Sequence, residues 1–267
     1  MYPVNWIDST GWNLKLPEYS KRMSITANTL LYKAQDCDLN IFLYSEPPEI
    51  IPGIDRYCQA HYRAYDYILT WDEDILNHVP NARKLIYIDP WITNEFKEKE
   101  KEFEITFLSG VKNQTYGHNL RLNIYNMVSR IKIPHDFYHI MDFNRHLRED
   151  SLFSNSQFNI AIENSVHNNY FTEKVLDCFL TRTIPVYYGC PNIGNWFDID
   201  GIIKVDSDED LFNKVNDLDD KYYWKHYYFV EKNYTIAREM CNDLGVGGYK
   251  TLDRKLNELI VEKYGHI

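Results

Sequence analysis

The chain has 267 residues, 44% of them hydrophobic, enough to bury a sizeable core in two compact domains of roughly 100–150 residues each. Its net charge of −10, from 39 acidic against 29 basic residues, excludes a general nucleic-acid binder, because counterion release needs a basic face. No run of about 18 apolar residues occurs and the opening MYPVNWIDSTGW lacks the basic and apolar regions of a leader, so a soluble chain without a membrane span is expected.

The five cysteines, Cys37, Cys58, Cys178, Cys190 and Cys241, are widely spaced and form no metal or redox pattern. The 22 tyrosines suit sugar stacking, and they suit cores and interfaces equally.

In the first hundred residues, 40–44, 67–70 and 84–88 are short apolar runs ending in polar or proline-containing turns, with helical segments between them. So few strands predict a reduced α/β domain. The run NIFLY leads into Ser45-Glu46-Pro47-Pro48, placing a carboxylate at a strand's C-terminal end. Glu46 is there either a general base or a cap on the Pro-Pro bend, and Glu49 is the reserve candidate. Trp71-Asp72-Glu73-Asp74 follows another strand. Asp72 and Asp74 could hold a divalent metal through hard oxygen donors. The preferred reading is an acidic helix start ahead of Ile75-Leu76, which suits the macrodipole.

The mixed-charge run KEKEKEFE at 97–104 reads as a solvated linker and domain boundary. A strand at 105–109 opens the second domain. Residues 118–131 carry Leu120, Ile124, Met127 and Val128 at helical spacing, with Arg121 near the start. A further strand covers 137–141, and His135, His139 and His146 beside it lack metal-ligand spacing.

The central stretch is 158–197. Its strand at 158–162 stops at Glu163-Asn164-Ser165. After a loop of Asn and His, Thr172 is an N-cap, followed by a helix of about ten residues bearing Val175, Leu176, Cys178, Phe179 and Leu180. Thr183 and Pro185 end it, a strand runs over 185–188, and Gly189-Cys190-Pro191-Asn192 turns the chain away. Such a unit belongs to a parallel sheet, where ligands bind beyond the strands' carboxyl ends. Glu163, Asn164, Tyr170, Glu173 and Lys174 gather at that end. The helix N-terminus and Lys174 suit a phosphate, whereas Glu173 suits hydroxyls, so a nucleotide-sugar is the economical ligand.

Beyond it, a strand at 202–205 precedes a helix at 208–218, capped through Asp206-Ser207-Asp208. An aromatic helix at 222–241, with Trp224 and Phe229 assigned to the core, ends at the GVGG turn of 245–248. An amphipathic helix at 251–264 closes the chain. Asn113 and Asn233 head glycosylation triplets that carry little weight.

The segments FNIAIENS, YFTEK and IPVYYGCPNI, in this order and spacing, resemble the α-1,3/1,4-fucosyltransferases, glycosyltransferase family ten. The resemblance implies an α/β protein of the GT-B fold, two Rossmann-like domains facing across a cleft with the N-terminal one reduced. It divides the chain into an acceptor-binding domain at 1–102, a donor domain at 103–248 and a C-terminal helix at 249–267 packing back on the first. It further implies GDP-fucose as donor, no obligatory metal or cofactor, inversion at the sugar carbon and an oligosaccharide or glycoconjugate acceptor.

Arg121 matches the family's arginine on the donor β-phosphate, and with Lys174 it would stabilise the departing GDP. Tyr170, Asn164, Thr172 and Glu173 would read the donor, with Glu163 supporting the loop or the donor sugar. Ser45-Glu46-Pro47 resembles the family's E-S-P segment, which makes Glu46 the base. Because animal relatives are Golgi-anchored, the expected location is cytoplasmic for a bacterial- or viral-type enzyme, unless the chain is a trimmed Golgi-type domain. The open alternatives are a GT-B enzyme using another GDP-sugar, a metal-dependent GT-A enzyme built on Asp72 and Asp74, and a non-catalytic carbohydrate-binding domain.

Overall fold

The computed structural model describes residues 1–8, 17–30, 36–86, 90–92, 96–97, 99–140, 152–242 and 249–265. The expected strand end at 87–88, the turn at 245–248 and His146 lie outside them. The chain forms two units: Met1–Tyr87 with Asn168–Tyr170 and Gly248–Ile267, and Ile88–His167 with Phe171–Gly247.

The first unit holds a parallel sheet of β1 (Asn5–Asp8), β2 (Met23–Ala27), β3 (Leu39–Tyr44), β4 (Tyr67–Thr70) and β5 (Ala82–Lys84), in that spatial order. Side chains alternate across β3, as the strand's period of two requires. Leu39, Ile41 and Leu43 join a core with Leu252, Leu256, Leu259 and Ile260 of α7 (Tyr249–Tyr264). Phe42 and Tyr44 join a second core with Ile54 and Cys58 of α1 (Ile54–His61) and Ile75 of α2 (Glu73–His78). Burial on both faces is the ordinary state of a parallel sheet. The spacing 252, 256, 259, 260 gives α7 one apolar stripe, and each such side chain contributes about 1.5–3 kcal/mol on burial. Arg83–Glu262 at 2.5 Å and Lys263–Asp66 at 2.6 Å rim that contact, where exposed pairs add about 0–1 kcal/mol each.

The sheet has more strands than the apolar runs suggested. β1 is only four residues, and β2 reads MSITA, with Ser24 and Thr26 buried among its apolar residues, so neither makes an apolar run.

The second unit holds β6 (Glu102–Gly110), β7 (His135–Ile140), β8 (Ser156–Ile162), β9 (Ile184–Tyr188) and β10 (Ile203–Lys204), all parallel, ordered β10-β9-β8-β6-β7. One face packs Ile105, Phe107, Phe158, Ile160, Ile184 and Val186 against α3 (Tyr116–Asn126), α5 (Asp208–Asn216) and α6 (Asp220–Asn242). On the other, Cys178 of α4 (Glu173–Leu180) reaches Asn159 of β8 at 3.7 Å. The division at 102/103 suggested by the charge run falls at the start of β6, whose first residue, Glu102, is exposed.

Within α6, Tyr223, Val230, Asn233 and Ala237 are buried, a seam at spacings of seven, three and four. Trp224, one residue off that seam, is 52% exposed rather than core. Asn233 is fully buried and exchanges hydrogen bonds with the backbone of Asp198, so its glycosylation triplet lies inside the folded unit.

Candidate functional site

In the second sheet the chain passes from β6 through α3 to β7 on one side, then to β8 on the other side of β6. Connections leaving the carboxyl ends of β6 and β8 therefore diverge, the arrangement that makes a ligand crevice in a doubly wound sheet. Most of the residues singled out from the sequence meet there.

Glu163 is the first residue beyond β8 and is fully buried. Its carboxylate accepts the Thr172 backbone N–H at 2.8 Å and the Thr172 hydroxyl at 2.7 Å. Thr172 caps α4 in turn, its Oγ1 accepting the Lys174 backbone N–H at 3.4 Å. The Lys174 ammonium lies 3.0 Å from Glu173, 3.1 Å from Thr172 Oγ1 and 3.9 Å from Glu163. Burial pushes the Glu163 carboxyl above the ordinary carboxylate range, and the nearby Lys174 opposes this with a smaller effect.

Arg121 approaches from α3. Its Nη1 donates to the carbonyl of Ile162 at 2.5 Å and its Nη2 to Asn164 Oδ1 at 2.9 Å, so the guanidinium braces the end of β8. The close approach depends on Gly117 in the first turn of α3. Its N–H donates to Asn164 O at 3.2 Å, and a Cβ there would lie 1.9 Å from the Glu163 carbonyl oxygen. Gly189, just past β9, makes room for Glu163 itself, since its Cβ would come within 2.5 Å of Glu163 Cγ.

His118 forms a capping box with Thr115 at the start of α3. Its pKa is pushed down to about 4, first by burial and then by Arg121, Lys112 and Lys174. Three cations thus add to burial in keeping this imidazole neutral.

These contacts form two groups, Arg121 with Asn164 and Glu163 with Thr172, Glu173 and Lys174, which meet at the consecutive residues Glu163 and Asn164. Tyr170 belongs to the first unit. Its ring is buried in the first unit, 5.1 Å from Trp71 and clustered with Phe42 and Tyr44, because Asn168–Tyr170 belong to that unit.

Glu46 stands in the first unit just beyond β3, half-buried, whereas Glu49 is exposed. The side chain of Asn28 accepts the Glu46 N–H at 3.0 Å and the Ser45 N–H at 3.1 Å. Asp72 caps α2, accepting the Ile75 N–H at 2.9 Å, and Asp74 pairs with His78 at 3.0 Å. Among the described residues, no group of three or more His, Cys, Asp or Glu could hold a metal ion.

Gly117, His118, Lys112, Gly189 and Asn28 escape a reading based on spacing.

The profile described as Glycosyltransferase family 10 (fucosyltransferase) C-term matches residues 98–247, more than half of the chain and nearly all of the second unit. The human 4-galactosyl-N-acetylglucosaminide 3-alpha-L-fucosyltransferase 9 is 26% identical over 182 residues, covering 64% of this chain and 48% of that protein. The Alpha-(1,3)-fucosyltransferase FucT of Helicobacter pylori is 32% identical over 57 residues, 21% of this chain and 12% of that protein. The chain therefore spans about half the length of the human relative, and the H. pylori match is shorter still. A crystal structure of an alpha1,3-fucosyltransferase with GDP superposes with a TM-score of 0.50 at 14% identity, over 94% of this chain and 89% of that one. With two parallel-sheet α/β units, the fold is of the GT-B class. Among the described residues no helix is long and apolar enough to cross a membrane.

Proposed function

The chain belongs to glycosyltransferase family 10, the fucosyltransferases, and from that membership we propose that it transfers L-fucose from GDP-fucose to a glycan hydroxyl with inversion. The observation that carries the reading is the cluster at the strand ends of the second unit, where the Arg121–Asn164 hydrogen bond and the Glu163–Thr172–Lys174 contacts meet at the consecutive residues Glu163 and Asn164.

The donor's diphosphate is an anion, and the start of α4 offers backbone N–H groups, the positive end of a helix and the Lys174 ammonium. Lys174 and Arg121 would act most strongly as the bond from the sugar carbon to the phosphate oxygen breaks and GDP leaves with the electron pair. Glu173 is placed to accept hydroxyls of the ribose or fucose. Glu163 sits behind Thr172 and holds the start of α4 in place. In the first unit, Glu46 would take the proton from the acceptor hydroxyl as its oxygen forms the new bond to the sugar carbon. The GT-A alternative loses its ground, since the fold is GT-B and Asp72 caps α2.

Incubation with GDP-fucose and a galactosyl-N-acetylglucosaminide, the acceptor class named for the human relative, tests the reading. GDP release and an inverted anomeric configuration in the product, read by NMR, are expected. No GDP release above the buffer rate, or a retained configuration, rejects it.

A further inference from the structure

We propose that Asn28 is the positioning residue for Glu46, an inference that rests on the reading of Glu46 as the base. Asn28 follows β2 directly, is 1% exposed and has φ 51°, in the left-handed region. Asparagine adopts that region more readily than most residues with a side chain, yet at a cost that the surroundings must offset. Here they do. The Asn28 backbone N–H donates to Leu43 O at 3.0 Å, tying the residue to β3.

Its side chain then spans the next peptide. Oδ1 accepts from Ser45 N at 3.1 Å and from Glu46 N at 3.0 Å, while Nδ2 donates to Ser45 Oγ at 3.0 Å. Two backbone N–H groups aimed at one atom identify it as the amide oxygen. From the end of β4, Trp71 Nε1 donates to the Ser45 carbonyl at 2.9 Å. The following Pro47, itself buried, disfavours helical backbone at Glu46. The Ser45-Glu46 segment is thus held from β2, from β4 and from its own following residue.

A turn after a strand needs far less. One buried amide that binds both N–H groups around a half-buried glutamate fixes the point from which the carboxylate projects, and proton transfer requires the base within hydrogen-bond reach of the acceptor hydroxyl. Asn28 touches no reacting atom in this account, so it acts through Glu46.

The test measures GDP release from GDP-fucose, with a galactosyl-N-acetylglucosaminide present, for wild type, Asn28→Gly, Glu46→Gln and the double variant. Glycine keeps the left-handed backbone and removes only the amide. Glu46→Gln is expected to lower kcat by about 10²–10⁴-fold. Asn28→Gly is expected to lower kcat by about 10–100-fold with KM for GDP-fucose within about twofold, and to cost little more once Glu46 is Gln. Equal losses in both backgrounds, or no loss in either, would overturn the positioning role. Wild-type kcat in Glu46→Gln would instead overturn the reading of Glu46, and the inference with it. If Asn28→Gly does not fold, Asn28→Asp decides: its carboxylate accepts the same two N–H groups, so kcat near wild type supports the role and a loss of about 10-fold or more rejects it.

Discussion

Glu163 Oε2 and Thr172 Oγ1, 2.7 Å apart, tie the fully buried Glu163 at the end of β8 to the first turn of α4. Replacing Glu163 by Ala leaves the Thr172 N–H and hydroxyl without their acceptor, at about 1–3 kcal/mol for each orphaned group. Urea denaturation should show a loss of that size, and calorimetry weaker GDP binding. Glu163→Gln keeps an amide oxygen as acceptor and should lose less on both counts. Equal stability and GDP affinity in wild type and Glu163→Ala would remove the bracing role.

The two shifted groups at this site give opposite pH dependences. Glu163 has a raised pKa in the folded state, so its favourable contribution is fullest at low pH and is lost as pH rises through that raised value. His118 is lowered from 6.5 to about 4, so its contribution is present above 6.5 and is lost as pH falls toward 4. Melting temperatures across pH 4–7 should therefore fall less steeply on acidification in His118→Asn than in wild type. Glu163→Gln should instead lose the decline that accompanies rising pH. Identical pH profiles in wild type and both variants would contradict the assignments.

Gly117 should tolerate no side chain. A Cβ placed 1.9 Å from the Glu163 carbonyl oxygen forces α3 away from β8, and overpacking of this kind costs about 1–3 kcal/mol or more. Gly117→Ala should lower the melting temperature and weaken GDP binding together, because the shift also moves Arg121. Gly110→Ala serves as the control, since a Cβ there has no heavy atom within 4 Å.

Asp72 is the N-cap of α2. Asp72→Ala should cost about 0.5–2 kcal/mol of stability by thermal or urea unfolding. GDP affinity, with or without EDTA, should match wild type. A metal-dependent affinity that vanishes in Asp72→Ala would revive the carboxylate pair.

The second unit was the more legible part of the chain. Strands at 105–109, 158–162 and 185–188 announce themselves as apolar runs, because both faces of a parallel strand are buried. The cap at Thr172 and the polar stop at Glu163-Asn164-Ser165 are local chemistry, readable wherever they occur. What spacing does not report is which partner a polar side chain chooses. Tyr170 packs beside Trp71, a contact that no spacing announces. Asn28 and Gly117 carry no motif, since their importance arises from atoms brought near by strand order. In β2, Ser24 and Thr26 hide a buried strand behind polar letters.

Calorimetric titration of GDP into wild type and Lys174→Ala, both in EDTA, tests the donor site most directly. A charged hydrogen bond is worth about 1.5–3 kcal/mol, so GDP affinity should fall by about 10–150-fold in the variant while the fold is retained. GDP binding of equal strength in the two proteins would contradict a donor site at the start of α4.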